Sequence, residues 1–148
     1  MRKINLLAAP VVLAATAFVL GGLVTAQNRG GRPLKTTLSG AAEVPGPGDT
    51  DGGGKALITL NQGQGQVCFE LTVSNIAPAT AAHIHKAPAD QAGPVVVTLT
   101  APTNGSSKDC VSADAALIKD IRQNPGDYYI NVHTQDFPAG AVRGQLAK

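Results

Sequence analysis

The chain has no tryptophan, and only three phenylalanines and two tyrosines among its 148 residues. Beyond Ala26 the aromatics are Phe69, Phe137, Tyr128 and Tyr129, too few for a platform on which nucleobases stack. Charge is sparse as well, at 15% of residues, with a formal net charge of +2. Arg2 and Lys3 account for that excess, so the rest is formally neutral and a polyanion partner is not favoured. Common catalytic and ligand-binding motifs are missing too. No G-x-S-x-G elbow occurs, and Ser106-Ser107 has no histidine nearby in sequence, so serine hydrolase chemistry is unsupported. Gly54-Lys55 leads into Ala56 and a strand-like run, where a phosphate loop needs a hydroxyl residue and a helix. Asp49-Thr50-Asp51 lacks the later acidic ligands of an EF-hand and reads as a solvated turn.

The longest uncharged stretch runs from Ile4 to Asn28. Behind Arg2 and Lys3, Leu6 to Leu20 is almost wholly apolar, and Val24-Thr25-Ala26 offers small residues for cleavage. This is the pattern of a secretory signal peptide, 1–26, cut before Gln27. The competing reading is an uncut anchor, since Ile4 to Ala26 is long enough to cross a bilayer. No cysteine stands at the cut, so a bacterial lipid anchor is not suggested. Cleavage predicts a secreted or periplasmic protein without a membrane span. Cys68 and Cys110, the only cysteines, are then exported together, which favours a disulfide. Neither has a second cysteine close in sequence, which weakens a soft-metal thiolate site.

Residues 27–34, polar and glycine-rich, read as a flexible lead-in to one domain over 35–148. Strand-like runs follow at Lys35 to Val44, Lys55 to Leu60, Gln66 to Val73, the segment after Pro78, Pro94 to Leu99, Tyr128 to Val132 and Ala141 to Leu146. Gln66 to Val73 alternates most clearly, with Val67, Phe69, Leu71 and Val73 on one face and Cys68, Glu70 and Thr72 on the other. Asn61 to Gly65 is a turn signal, so the second and third runs should form a hairpin. One helix is expected near the C-terminus, N-capped by Ser112 with Asp114 in its first turn. It carries Leu117, Ile118 and Ile121 inward and stops at Asn124-Pro125-Gly126. Seven to eight short strands with one helix predict an all-β fold, an antiparallel β-sandwich or barrel.

The three histidines fall in two places, His83 and His85 in the segment after Pro78 and His133 at the end of the run from Tyr128 to Val132. On an extended segment His83 and His85 share a face, with Cα atoms about 6.5 Å apart, close enough to turn onto one ion. His133 would complete a three-nitrogen site if its strand lay beside theirs. Asn131 and Tyr129 share its face, opposite Ile130 and Val132, just as His83 and His85 oppose Ile84. A face of cross-strand hydrogen bonds needs the same pattern, so both readings stay open. Three imidazoles without an acidic ligand suit Cu(II) first and zinc second, and neither magnesium nor calcium. Glu43 and Arg143 are candidates for an ion pair or for backbone hydrogen bonds joining the first and last strands. Arg143 could instead guide anions to a metal.

Thr37-Leu-Ser-Gly-Ala-Ala-Glu-Val-Pro45, Ala82-His-Ile-His85 with Gly93-Pro-Val-Val96, and Tyr129-Ile-Asn-Val-His-Thr134 with Arg143-Gly-Gln-Leu146 resemble the three signature blocks of the CHRD domain, in order. That module is repeated in chordin and occurs singly in exported bacterial proteins. The resemblance implies an extracytoplasmic binding module and makes Glu43, Asn131 and Arg143 signature positions. His83-Ile-His85 with a late histidine is also similar, more faintly, to the copper ligands of copper/zinc superoxide dismutases. Those proteins use more than three histidines, which excludes a dinuclear centre of that kind here. The expected function is a non-enzymatic domain that binds an extracytoplasmic protein or a metal ion, with mononuclear copper held by His83, His85 and His133. The alternatives are a mononuclear copper redox enzyme and a purely structural adhesion domain.

Overall fold

The computed structural model describes residues 32–148; the expected signal peptide and residues 27–31 of the lead-in lie outside the described residues. Eight strands form a single antiparallel sheet: β1 (Leu34–Ser39), β2 (Gly53–Asn61), β3 (Gln66–Ser74), β4 (Ala79–Lys86), β5 (Val95–Leu99), β6 (Ser106–Ser112), β7 (Tyr128–Thr134) and β8 (Val142–Gln145). Their order across the sheet is β5-β4-β7-β8-β1-β2-β3-β6. The outermost strands approach each other at one seam. There the Ser107 hydroxyl donates to the Thr100 carbonyl at 2.8 Å, and the Thr100 hydroxyl donates to Asp109 Oδ2 at 2.9 Å. The result is a nearly closed barrel with, among the described residues, one α-helix, α1 (Ala115–Gln123), before β7.

Alternation places the core. Ile58, Leu60, Val67, Phe69, Leu71, Ile84, Ile130, Val132 and Val142 point inward and are buried, joined by Ile118 and Ile121 of α1. Each such side chain contributes about 1.5–3 kcal/mol relative to exposure. Cys68 and Cys110 sit directly opposite each other on β3 and β6 and form a disulfide, which ties the most polar strand to its neighbour.

Three local expectations need correction. The first strand ends at Ser39, not Val44, because a 3-10 turn over Gly40–Ala42 bends the chain back. Gly40 lies so close to the Asp49 backbone that no Cβ would fit, and its carbonyl accepts from the Gly48 and Glu43 amides. The helix N-cap is Asp114, not Ser112; its Oδ1 accepts from the Ala116 and Leu117 amides at 2.8 and 3.2 Å. Ser112 instead closes β6, paired with Gln66. That strand escaped the sequence pattern because Ser106–Ser112 buries neither face and therefore has no apolar alternation.

The feature that shapes the functional region is the outward face of β4, β7 and β8. Directly opposed residues of an antiparallel sheet project to the same side. The pairs His83↔Asn131, His85↔Tyr129, Ala81↔His133, Asn131↔Arg143 and Tyr129↔Gln145 therefore form one continuous polar surface. Although it points away from the core, Tyr129, Asn131 and Arg143 are buried. The segments before β2, between β4 and β5, and between β7 and β8 contact these side chains and form a second, polar layer of packing.

Candidate metal centre

β4 and β7 are hydrogen-bonded neighbours, so the His83-x-His85 pair and His133 meet on the same surface. One ring nitrogen from each lies within 4.8 Å of the others. A tetrahedral ion with metal–nitrogen bonds of about 2.0–2.1 Å needs nitrogens roughly 3.4 Å apart, so the widest separation must close by about an ångström, whereas His83 Nδ1 and His133 Nε2 are already 3.1 Å apart. The ring centroids, 5.0 to 6.3 Å apart, leave that movement to side-chain torsions.

Backbone carbonyls determine which nitrogen is offered. His85 Nδ1 lies 2.8 Å from the Gly93 carbonyl, and His133 Nδ1 lies 3.0 Å from that of Pro138. A carbonyl only accepts, so each Nδ1 carries the proton and each Nε2 presents its lone pair. His85 Nε2 is buried and has no protein partner. His133 Nε2 accepts from His83 Nδ1 at 3.1 Å, a proton that an ion would displace. Burial first, then the neighbouring imidazoles, pushes the His83 pKa down; burial also lowers that of His133, with the His85 ring, against the opposing Pro138 carbonyl. Both shifts favour the neutral imidazole of His83 and His133, the form that ligates.

The other signature residues lie beside this cluster. Arg143 does join the first and last strands through its backbone, paired with Ser39 of β1, but its guanidinium reaches elsewhere: Nη2 donates at 2.8 Å to the Pro88 carbonyl in the connection from β4 to β5. Its guanidinium carbon sits 3.4 Å from the centre of the Tyr129 ring, and Tyr129 stacks on His85 at 4.7 Å with 8° between the planes. Asn131 hydrogen-bonds the carboxyl of Glu43. That carboxyl is packed against Gly140, where a Cβ would collide with both of its oxygens. Burial pushes the Glu43 pKa up to about 7, against the pull of Arg143, the Val44 amide and Asn131.

Tyr129 was read from sequence only as sharing the face of His133, and Gln145 and the carbonyls of Gly93 and Pro138 were not singled out. Tyr129 and Gln145 had a legible signal, since both belong to the outward set at period two. The carbonyls had none, because any residue supplies one. A concavity of about 620 Å³ lies elsewhere, on the outer side of β1–β3 around Thr37, Lys55, Leu57 and Thr72, and no histidine lines it. A broad groove faced by exposed lysine and threonine offers less directed chemistry than three converging imidazoles.

Comparison with curated proteins and with solved structures gives no significant match in either. A family model does match, over residues 34–146, and by that extent the chain belongs to the CHRD domain family.

Proposed function

We propose that this protein is an exported, non-enzymatic binding module whose outward polar face holds one metal ion through His83, His85 and His133. Copper is the first choice and zinc the second. The observation that carries the reading is convergence: one ring nitrogen of each histidine lies within 4.8 Å of the others, and two carbonyls hold the Nδ1 protons of His85 and His133 so that each Nε2 keeps its lone pair. Three neutral nitrogens with no carboxylate suit copper or zinc rather than magnesium or calcium. Export is supported by the charged start, apolar run and small-residue cut of the leader, and by a disulfide of the kind oxidising compartments maintain. Bound copper would suit storage, delivery or sensing, and the face around it is where an extracytoplasmic partner would dock.

One observation favours a second reading. The His83–His133 hydrogen bond ties β4 to β7 without any ion, so the imidazoles would serve a purely structural module. Titration of the purified protein with Cu(II) and Zn(II), followed by calorimetry and electron spin resonance, separates the two. The metal reading expects one equivalent, a multi-nitrogen Cu(II) spectrum, and loss of both in His85→Ala. Weak, non-stoichiometric uptake unchanged in that variant would leave the structural reading.

A further inference from the structure

His85 is held by a circuit of contacts that none of the three histidines supplies. Its ring lies parallel to Tyr129, and Arg143 caps Tyr129. Because β7 lies between β4 and β8, His85 and Arg143 occupy opposite faces of the phenol ring. All three side chains are buried. The same residues hold the segment that returns to His85. Arg143 Nη2 donates to the Pro88 carbonyl and Gln145 Nε2 to the Ala87 carbonyl, both at 2.8 Å. The Gly93 amide donates to the Tyr129 hydroxyl at 3.2 Å, and the Gly93 carbonyl accepts from His85 Nδ1. Gly93 is required there, since a Cβ would run into the Lys86 backbone.

We propose that Tyr129 and Arg143 are positioning residues for His85: they fix its ring plane by stacking and its tautomer through Gly93, and so set metal affinity without touching the ion. This rests on the metal reading above, although its effect on the tautomer does not need an ion. A planar cation on one face of an aromatic ring and an imidazole on the other restrict rotation of both rings. A hydrogen bond to the far nitrogen of a ligating histidine fixes the ring and raises its basicity, and loss of such support commonly costs about 10–100-fold in metal affinity.

The test uses Tyr129→Leu, Tyr129→Phe and Arg143→Lys, with Tyr128→Phe as control. Tyr128 is the adjacent residue, buried in the core, and its hydroxyl donates to Asp120 rather than to the histidine surface. Two readouts are taken: nitrogen-15 NMR of the His85 ring without metal, and Cu(II) affinity with its spin-resonance spectrum. The proposal expects wild-type His85 to be protonated at Nδ1 alone, and to become a mixture of tautomers in Tyr129→Leu. Copper affinity should fall about 10–100-fold in that variant, by less in Tyr129→Phe and Arg143→Lys, with an altered spectrum in each. Tyr128→Phe should lower the melting temperature and leave both readouts unchanged. If Tyr129→Leu does not fold, the two milder variants decide. Folded variants with wild-type tautomer and affinity would overturn the proposal. Wild-type protein that binds no copper but shows the tautomer shift would remove the metal reading and leave the positioning role standing.

Discussion

Glu43 gives the sharpest test of the buried polar layer. Its carboxyl is about 5% exposed, and its pKa is raised from an ordinary 4.5 to about 7. The folded state therefore binds the proton more tightly than the unfolded chain does. Stability from this group is fully present below pH 4.5 and is lost as pH rises through 7. At about 1.4 kcal/mol per pKa unit the interval corresponds to roughly 3 kcal/mol. Glu43→Gln keeps the shape of the protonated carboxyl and cannot ionise, so it should lack that loss. His83 and His133, with pKa values pushed down, contribute the opposite slope, but equally in both proteins. The informative quantity is thus the stability difference, variant minus wild type, from urea unfolding at pH 5 and pH 8 with the disulfide intact. It should become more favourable to the variant by roughly 2.5 kcal/mol across that range, since part of the effect lies below pH 5, a shift of more than about 1 M in the urea midpoint for a domain of this size. Parallel pH profiles, or a glutamine variant less stable than wild type at pH 8, would refute the reasoning. The carboxylate would then be ionised in the fold and satisfied by Arg143.

Two further predictions concern the scaffold. Replacing Cys68 and Cys110 together by serine reopens a separation of 42 residues and should cost about 4 kcal/mol in the chain-entropy model, read from calorimetric melting of oxidised wild type against the variant. Asp114→Ala should destabilise by about 1 kcal/mol through loss of the helix cap, whereas Ser112→Ala should change stability by under about 0.5 kcal/mol. A larger loss in Ser112→Ala than in Asp114→Ala would return the cap to Ser112.

Where side chains alternate between core and surface, the sequence was readable. β3 shows this best: Val67, Phe69 and Leu71 are buried while Glu70 and Thr72 are exposed, as period two requires. The opposition of His83 and His85 to Ile84, and of His133 to Ile130 and Val132, was legible for the same reason. β6 was invisible because a strand whose faces are both largely solvated leaves no hydrophobic period. The end of β1 was misread because its cause, the close packing of Gly40 on the Asp49 backbone, is a contact between distant segments. For Arg143, sequence suggested an anion guide or a tie between strands. Its seat on Tyr129 follows from strand order, which no local pattern encodes.

Composition and periodicity alone thus made legible an all-β chain, the oxidised cysteine pair and a set of three outward-facing histidines. These are properties of single segments, governed by hydrophobic alternation and by the chemistry of each side chain. Whether the histidines meet depended on β7 lying beside β4, a pairing between segments some fifty residues apart. Their tautomers, the burial of an outward-facing Arg143 and the raised pKa of Glu43 depended on connecting segments folding over the sheet. Such effects come from desolvation and from backbone carbonyls, and both exist only once the chain is packed.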